Sequence, residues 1–551
     1  MANINGQDLV DEIRFNIKEK DFLKARLVLS SLGEVDRKTQ KQALFEISRA
    51  EDDFSIPLIT RVIANSPDIS KSFPHLKEVL FSKVLDSPQV LLDLFSNGGD
   101  SLNRAFLAKI SGEIRLQKAV PILLKILTEE KDFEVIETVI IALGMIGDET
   151  SVSAVSEFMY SGSRQLVIAA VQTLGDLATP EAIQKLADRL GGDTDIDLMV
   201  LDIFARSQLP EALKKLNETL ESENAHLRNA GKQRLGAIGV TAIRILINNL
   251  LKDNPDLVIH SMNLLGDIGD TAAIPAIRKL LHNEPKDPNV RFAAYEAMGR
   301  LPNVKGAFAL AAGLEDPDDS VRAAAAKAIE KNYNSVLAAG IKNMTRSEDS
   351  EAHRIILTII DSLCDNIFLD LLDEDSLKVF LVKHLKYKAH PDIRSHFARL
   401  LRREGHDDLA KQISSEKVHK DRAKLKVFAV DDSRMILNIY RTVLHNLECE
   451  PHLFEFPATA LEHVKKERPD LILTDLNMPE ITGIDFTIEV RKWHTKEELP
   501  VIMVTTQDEE RDNKAAYAAG INSILQKPFT QEQIGKVLAE FKGKRVAKNG
   551  E

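Results

Sequence analysis

Five polar residues near the C-terminus have side chains that could bind a divalent cation and a phosphoryl group. Each ends or follows a short apolar run, and they are Asp431, Asp432, Asp475, Thr505 and Lys527. Three crowded carboxylates cannot all stay ionised without a cation, and Mg²⁺ prefers a few carboxylates together with waters and phosphate oxygens. A carboxylate can also act as the nucleophile of phosphoryl transfer. The set therefore predicts a Mg²⁺-dependent phosphoryl-accepting pocket, in which the hydroxyl and the ammonium hold phosphoryl oxygens.

The elements that must position these residues are short apolar runs that alternate with helical stretches. This alternation is typical of βαβ units around a parallel sheet. The predicted strands are Lys426–Val430, His452–Glu455, Leu471–Thr474, Val501–Thr505 and Ser523–Gln526. The predicted helices are Ser433–Leu447, Ala458–Lys466, Gly483–Lys492, Glu509–Ala519 and Gln531–Phe541. Because such sheets bind ligands at the carboxyl ends of their strands, we expect the five polar residues to share one pocket.

Four motifs contain these residues: Val-Asp-Asp-Ser, Leu-Thr-Asp-Leu-Asn-Met-Pro, Val-Thr-Thr and Gln-Lys-Pro-Phe. In this order they resemble the motifs of response-regulator receiver domains, which have a doubly wound, flavodoxin-like α/β fold with five parallel strands. The resemblance implies that Asp475 is the phosphoacceptor and contributes to the metal site. It also implies that Asp432 binds Mg²⁺ directly, that Asp431 supports the ion partly through water, and that the backbone carbonyl of Asn477 is a further ligand.

The same resemblance assigns roles to the remaining pocket residues and shows one departure. Thr505 would hydrogen-bond the phosphoryl group and Lys527 would pair with it. The family often has an aromatic residue where this chain has Ile524, and an isoleucine cannot reorient a hydroxyl. Activation could instead repack the surface around Ile524 and the last helix. Gln507 and Asn477 flank the position from which water would attack, so Gln507 is expected to influence the phosphate lifetime.

A second pattern recurs through the middle of the chain: an amphipathic stretch ending in Leu-Gly or a similar pair, a polar turn, and another amphipathic stretch. The marks of successive copies are Gly112, Gly144, Gly175, Ala205, Gly236, Gly266, Gly299 and Glu330. The gaps between them are 32, 31, 30, 31, 30, 33 and 31 residues. Each copy predicts two helices, and the glycine allows either a positive φ or a close approach of helices. Asp-Pro pairs such as Asp287-Pro288 should end the preceding helix.

The recurring Asp-Pro…Val-Arg…Ala-Ala…Leu-Gly pattern resembles short HEAT repeats over roughly Leu102 to Tyr333. The resemblance implies an α-solenoid of helix pairs with a long surface for proteins or helices. An ordinary helical bundle is the alternative, but bundles show heptads and not periods in the solenoid range. The predicted domains are 1–100, an atypical helical part of the solenoid; 101–413, HEAT-like repeats; 414–424, a linker; 425–545, the receiver domain; and 546–551, a tail.

The predicted linker carries a small basic run. Its residues are Lys417, Lys420, Arg422, Lys424 and Lys426. Such a run is typical of a solvated connector, and the alternative is a hinge that docks on an acidic surface.

Composition argues against several classes of protein. The net charge of −12 disfavours a nucleic-acid binder, which needs a basic surface. Cys364 and Cys449 are far apart in sequence and predict neither a disulfide framework nor a metal site, which favours a reducing compartment. The N-terminus lacks the features of a signal peptide, and no uncharged apolar run reaches ~18 residues. We therefore expect a cytoplasmic protein without membrane insertion.

These observations favour a two-component response regulator without a separate catalytic domain, and not an enzyme. A sensor histidine kinase would phosphorylate Asp475 with Mg²⁺ as the cofactor, and this would alter how the solenoid binds an unidentified protein partner. A phosphate sink or a scaffold is an alternative. Two further alternatives are a HEAT-repeat enzyme, similar to bilin lyases or lysine hydroxylases, and a nucleic-acid binder controlled by the receiver. The sequence of residues 1–413 shows no helix-turn-helix, His-Glu pair, phosphate-binding glycine loop or metal cluster to support these two.

Overall fold

A computed structural model of the protein describes residues 6–96, 101–302, 307–347, 349–414, 424–478, 481–505, 510–527 and 529–548. Contacts divide the chain into two compact units, 1–215 and 216–551, and the division falls within one helix. The domain boundaries predicted above stay predictions, and most of the predicted linker, residues 415–423 with Lys417, Lys420 and Arg422, lies outside the described residues. None of the described helices combines the length and the apolar character that a bilayer crossing needs.

The first unit consists of helices, most of them in consecutive pairs. In chain order they are α1 (Gly6–Lys18), α2 (Phe22–Ser30), α3 (Arg37–Arg49), α4 (Asp52–Asn65), α5 (Pro67–Ser72), α6 (His75–Asp86), α7 (Pro88–Ser96), α8 (Ser101–Glu113), α9 (Val120–Glu129), α10 (Phe133–Ile146), α11 (Val152–Glu157), α12 (Arg164–Leu177), α13 (Pro180–Asp188), α14 (Thr194–Ser207) and α15 (Pro210–Glu218). Asp132 and Asp193 cap α10 and α14 by accepting hydrogen bonds from backbone amides of the first turn. Capping residues therefore mark where these two first helices of the repeats begin.

The second unit continues with helix pairs before its α/β part. These helices are α16 (Ala225–Ile238), α17 (Ile243–Asn249), α18 (Pro255–Ile268), α19 (Ile274–His282), α20 (Pro288–Arg300), α21 (Ala307–Ala312), α22 (Asp319–Lys331), α23 (Ser335–Thr345), α24 (Ser350–Asp361), α25 (Asp365–Leu372), α26 (Asp375–Tyr387), α27 (Pro391–Arg403) and α28 (Asp407–Ser414). We refer to α16–α28 as the repeats of the second unit. Short 3₁₀ turns, such as Thr271–Ala273, join the two helices of several pairs.

The repeat glycines allow the first helices of successive pairs to approach closely. A Cβ at Gly266 would lie 3.0 Å from the Cα of Ala297, and one at Gly299 would lie 3.1 Å from the Cα of Ala328. The positive φ occurs three residues later, at Gly269, where φ is 75°. The predicted helix pairs are confirmed, and Gly266 and Gly299 take the second of the two roles that the sequence left open, the close approach of helices.

In the two copies that carry a Val-Arg pair, the arginine donates hydrogen bonds to the loop that precedes the first helix. Arg322 donates to the carbonyl oxygens of Asp316 and Pro317 at 2.7 and 3.1 Å. Arg291 donates in the same way to Pro285, at 2.6 Å, and pairs with Asp316 at 2.7 Å. The Val-Arg signature therefore serves the structure of the repeat, because these side chains satisfy loop carbonyl oxygens with hydrogen bonds.

The α/β part of the second unit contains a parallel sheet. Its strands are β1 (Leu425–Val430), β2 (Cys449–Phe454), β3 (Leu471–Thr474), β4 (Val501–Thr505) and β5 (Ser523–Gln526). Its helices are α29 (Arg434–Asn446), α30 (Pro457–Lys466), α31 (Gly483–Arg491), α32 (Glu510–Ala519) and α33 (Gln531–Lys548). Among the described residues the strand order is β2-β1-β3-β4-β5, so the predicted doubly wound five-stranded fold is confirmed. The strand order reverses between β1 and β3, which places a crevice at their carboxyl ends.

Both faces of this sheet are covered by apolar side chains. On one face Phe428, Ile472 and Val501 are buried in one cluster with residues of the flanking helices, and on the other face Val427 and Leu473 are buried. This explains why the strands are continuous apolar runs and do not alternate with polar residues. In the β1–β3 register Val430 lies opposite Thr474, so the residues that follow these two strands emerge side by side.

Candidate functional site

Three of the predicted pocket residues are in direct contact. Lys527 Nζ donates to Asp431 Oδ2 at 2.6 Å and to Asp475 Oδ1 at 2.8 Å. All three side chains are buried. They follow β5, β1 and β3, so residues almost a hundred positions apart in the chain meet because parallel strands end at the same edge.

The electrostatics of this pocket reflect an excess of carboxylates. Burial raises the pKa of Asp431, and desolvation together with the neighbouring Asp475 raises the pKa of Asp432 to about 7. Although burial acts to lower it, the pKa of the Lys527 ammonium is raised well above its usual value by Asp431 and Asp475. The single Lys527 ammonium therefore acts electrostatically on three carboxylates, and a divalent cation would relieve the remaining repulsion between them.

The donor set fits Mg²⁺. Asp431, Asp432 and Asp475 supply carboxylate oxygens, which this hard cation prefers, and the pocket opens into a cavity with room for water ligands. The loop after β3 is held by a hydrogen bond from the backbone amide of Asn477 to Asp475 Oδ2, at 2.9 Å. A Cβ at Gly483 would lie 2.1 Å from the Asp475 carbonyl oxygen, so only glycine lets α31 begin this close to the loop.

The remaining predicted site residues lie around this cluster or outside the described chain. Thr505 is buried at the end of β4, and its carbonyl accepts from the Lys527 amide at 2.8 Å. Ile524 of β5 packs against the buried cluster that contains Phe486. Gln507 lies outside the described residues.

The repeats of the second unit contribute residues that were not predicted for the site. The crevice that contains Asp475 is part of a cavity of about 740 Å³, and α16, α18, α20 and α22 line its other side. Ser433 Oγ, two residues beyond Asp431, donates to Glu296 Oε1 at 2.8 Å, and Arg300 pairs with the same Glu296 at 2.8 Å.

A sequence signal for this wall exists in the repeats themselves. The position three residues before the repeat mark is polar in four successive copies, all of which line the cavity: Gln233, Asn263, Glu296 and Lys327. A polar residue at one fixed place of an otherwise apolar helix pattern indicates a functional surface or a solvated one. The pattern does not reveal what the surface contacts.

Lys232 of α16 is a basic residue of this wall on which two pocket carboxylates, Asp475 and Asp432, act. Burial and secondarily Arg228 lower the pKa of its ammonium to about 7, while Asp475 and Asp432 oppose this effect. Among the described residues, none forms a hydrogen bond or ion pair with Lys232.

A second contact joins the far end of α29 to the repeats. His445 Nε2 lies 2.6 Å from Asp392 Oδ2, and the rings of His445 and His390 stack with centroids 3.9 Å apart. Between its two ends, α29 packs against α22. The helix that follows Asp431 and Asp432 is therefore held against the repeats along its length.

Comparisons with known proteins match both predicted families. A family model described as the response regulator receiver domain matches residues 427–539, and one described as HEAT repeats matches residues 88–171 and 246–330. The chain is 32% identical over 121 residues to a chemotaxis protein CheY homolog of Campylobacter jejuni, covering 22% of this chain and 93% of that protein.

Two further similarities concern the same segment. The chain is 31% identical over 121 residues to hybrid signal transduction histidine kinase G of Dictyostelium discoideum, covering 21% of this chain and 4% of that protein. A solved structure of Vibrio cholerae chemotaxis protein CheY4 is similar to this chain at 33% sequence identity and a TM-score of 0.21. The match covers 22% of this chain and 99% of the CheY4 chain. The chain thus spans nearly all of one relative and a small fraction of another.

Proposed function

Since this chain belongs to the response-regulator receiver family through residues 427–539, we propose that it accepts a phosphoryl group on Asp475. The observation that carries the proposal is the contact of Lys527 with both Asp431 and Asp475 at one edge of the sheet. An Asp475 carboxylate oxygen would form a bond to phosphorus while the donor's bond to phosphorus breaks. The leaving group would keep that electron pair.

The other pocket residues would support this transfer by binding and orientation. Asp431, Asp432 and the backbone carbonyl of Asn477 would hold Mg²⁺, which supplies positive charge to the phosphoryl oxygens when it is bound. Thr505 would donate its hydroxyl to a phosphoryl oxygen. Lys527 would exchange part of its contact with Asp475 for one with the phosphoryl group.

A sensor histidine kinase is the phosphoryl donor that we propose, and the helical repeats are the output. The relatives support this donor, because one is a hybrid signal transduction histidine kinase and another is a chemotaxis protein. The HEAT-repeat match supports an output through protein binding, since stacked helix pairs present long surfaces to partners. The chain would then act as a response regulator, with self-phosphorylation as its own chemistry.

Mass spectrometry of the intact chain tests the phosphoacceptor. Acetyl phosphate with Mg²⁺ should add one phosphoryl group to the wild type, and removing Mg²⁺ with a chelator should abolish the addition. Asp475→Asn should not be labelled, whereas Glu462→Gln, an exposed carboxylate of α30, should be labelled as the wild type is. Labelling of Asp475→Asn to the wild-type extent would overturn the assignment.

Affinity capture tests the output. The wild type and Asp475→Asn would each be used as bait with and without acetyl phosphate, and the captured proteins would be compared by quantitative mass spectrometry. A partner whose capture changes with phosphodonor only for the wild type supports regulation through the repeats. Identical capture in all four samples, with the wild type phosphorylated, would favour the phosphate-sink alternative.

A further inference from the structure

The crevice that contains Asp475 is bounded both by the α/β part and by the repeats of the second unit. Its cavity is lined by Asp432 and Asp475 from the α/β part and by Lys232 and Arg300 from the repeats. A phosphoryl group on Asp475 would point away from β3 into this cavity, because its carboxylate follows the strand end. The side chains that face it would then include residues of the repeats.

Of the lysines and arginines that line this wall, Arg300 and Lys232 differ in their existing partners. Arg300 pairs with Glu296 at 2.8 Å and with Asp267 at 2.7 Å, so its charge is already neutralised. Lys232 has no ion pair with any described residue, and it lies within electrostatic reach of Asp475 and Asp432. Lys232 is therefore a cation of the wall that can take a new anionic ligand without giving up an ion pair.

A count of charges shows why the pocket would need it. Three carboxylates and the Lys527 ammonium leave a net charge that one Mg²⁺ ion would balance. Phosphorylation replaces the single charge of Asp475 by the double charge of a phosphoryl group, which leaves one negative charge without a counter-charge. The ammonium of Lys232 supplies that counter-charge from the opposite side of the cavity.

We propose that Lys232 of the repeats completes the phosphoryl-binding site, so that the aspartyl phosphate is bound by Lys527 on one side and by Lys232 on the other. The inference rests on the proposed phosphorylation of Asp475. Phosphorylation would then strengthen the docking of the α/β part on α16, α18 and α20. The repeats would sense the phosphoryl group by direct contact.

A hydrogen bond between Ser433 and Glu296 already holds the loop after β1 close to the repeats, as binding of the phosphoryl group by Lys232 would require. Ser433 Oγ donates to Glu296 Oε1 at 2.8 Å, and Glu296 is itself held by Arg300. Ser433 also caps α29 by accepting from the amide of Ile436 at 3.4 Å. The loop that carries Asp431 and Asp432 is thereby fixed to α20 at the rim of the cavity.

Binding of beryllofluoride with Mg²⁺ to the full chain tests the proposal, because this anion mimics a phosphoryl group on a carboxylate. Fluorine NMR would follow the bound signal. We expect Lys232→Met to weaken binding at least about tenfold, the worth of a hydrogen bond between charged groups, and Lys232→Arg to recover most of it. Lys279→Met, an exposed lysine of α19, is the matched control and should bind as the wild type does.

Hydrogen exchange supplies the second measurement. Beryllofluoride should slow amide exchange in α16 and α29 of the wild type and of Lys279→Met, but not of Lys232→Met. If the wild type binds no beryllofluoride, the proposed function fails. If the wild type binds it, Asp475→Asn does not, and Lys232→Met behaves as the wild type in both measurements, the contribution of Lys232 is refuted while the phosphoacceptor stands. Circular dichroism shows whether Lys232→Met is folded. If it is not, the beryllofluoride affinities of Lys232→Arg and Lys232→Gln are compared instead.

Discussion

Lys527 separates two buried carboxylates that would otherwise repel each other, since its ammonium contacts both Asp431 and Asp475. Removing one partner of a buried ion pair leaves uncompensated charge and commonly lowers the free energy of unfolding by about 3–5 kcal/mol. We expect Lys527→Met to lose that amount in Mg²⁺-free buffer. Added Mg²⁺ should restore part of the loss, because the cation takes over the role of the ammonium.

Urea unfolding followed by tryptophan fluorescence measures this effect. Trp493 is the only tryptophan in the chain and lies directly after α31, so its emission reports on the α/β part. Lys536→Met is the control, since its ion pair with Glu532 is exposed and should contribute less than about 1 kcal/mol. Equal unfolding free energies for Lys527→Met and the wild type would mean that the buried contact does not stabilise the fold.

Asp432 is exposed to the cavity, and its pKa of about 7 shows how strongly its surroundings oppose its charge. As the direct Mg²⁺ ligand that we propose, it should be essential for tight Mg²⁺ binding. We expect Asp432→Asn to lower the Mg²⁺ affinity about 10–100-fold in isothermal titration at a pH above 8, where the wild-type carboxylate is ionised. Asp485→Asn, a carboxylate at the start of α31, should leave it unchanged. An unaltered affinity in Asp432→Asn would remove this residue from the metal site.

The pocket residues that could be predicted are those whose position follows from local pattern. Asp431 and Asp475 each come directly after a buried apolar run, and parallel strands bring such ends together. Lys232 and Glu296 could not be predicted for the site, because Glu296 is 137 residues away from the Ser433 that it contacts. Periodicity specifies which side of a helix is polar, but the docking of one part on another depends on surfaces that no local pattern encodes.

At the scale of elements, the repeats depend on glycine where two helices touch. A Cβ at Gly266 of α18 would lie 3.0 Å from the Cα of Ala297. A Cβ at Gly236 of α16 would meet only a Leu264 methyl, at 3.8 Å. The two positions are equivalent in the repeat and differ in the space around them. They therefore form a matched pair.

We expect Gly266→Ala to lower the free energy of unfolding by about 1–3 kcal/mol, because α18 and α20 must move apart. Gly236→Ala should be neutral or stabilising by up to about 1 kcal/mol, since alanine favours a helix over glycine. Urea unfolding followed by far-UV circular dichroism compares them. Equal effects of the two substitutions would show that close approach is not what the repeat glycine provides.

The contact between α29 and the start of α27 should make docking sensitive to pH. Burial and then His445 lower the pKa of His390 to about 4, with Lys424 and Arg394 acting in the same direction and Asp392 against it. Burial also lowers the pKa of His445. Both imidazoles are therefore neutral in the docked state and take up protons more readily once they are exposed.

The sign of the pH effect follows from this. The ordinary histidine pKa is about 6.5, so the contribution is complete above that value and is lost as the pH falls from about 6.5 towards 4. For His390 the loss amounts to at most about 3 kcal/mol. Unfolding free energies of the α/β part, measured through Trp493 between pH 7.5 and 5, should fall less steeply in His390→Asn than in the wild type. Parallel curves would contradict the assignment.

The elements of the α/β part were largely predictable, and the exceptions have physical reasons. β3, β4 and β5 have the predicted bounds because their ends coincide with polar residues. β2 begins at Cys449 and not at His452, since pairing with β1 extends over Pro451, and a proline, which has no backbone amide hydrogen, argues against a strand in the sequence. α33 continues to Lys548, beyond the predicted Phe541, because a charged, weakly amphipathic stretch carries no apolar stripe to mark its end.

At the scale of the whole molecule, the docked arrangement places Asp475, the proposed phosphoacceptor, behind a wall of helices. A small phosphodonor can enter the cavity of about 740 Å³, but a phosphohistidine on a protein domain needs Asp475 at an open surface. Phosphorylation by a kinase should then proceed through the minor, undocked population, and its rate should scale with that population. Comparing phosphodonors of different size therefore separates access to Asp475 from the rate of phosphoryl transfer itself.

Weakening the contact at the far end of α29 tests this without touching the pocket. His445→Asp would oppose the carboxylate of Asp392, which lies 2.6 Å from His445 in the wild type. We expect transfer from a purified phosphohistidine-carrying domain to accelerate about fivefold for each 1 kcal/mol of docking free energy lost, while labelling by acetyl phosphate keeps its rate. Adding Asp392→Lys should restore the opposite charges and the slow transfer. Equal acceleration with both donors would show that the helical wall does not control access to Asp475.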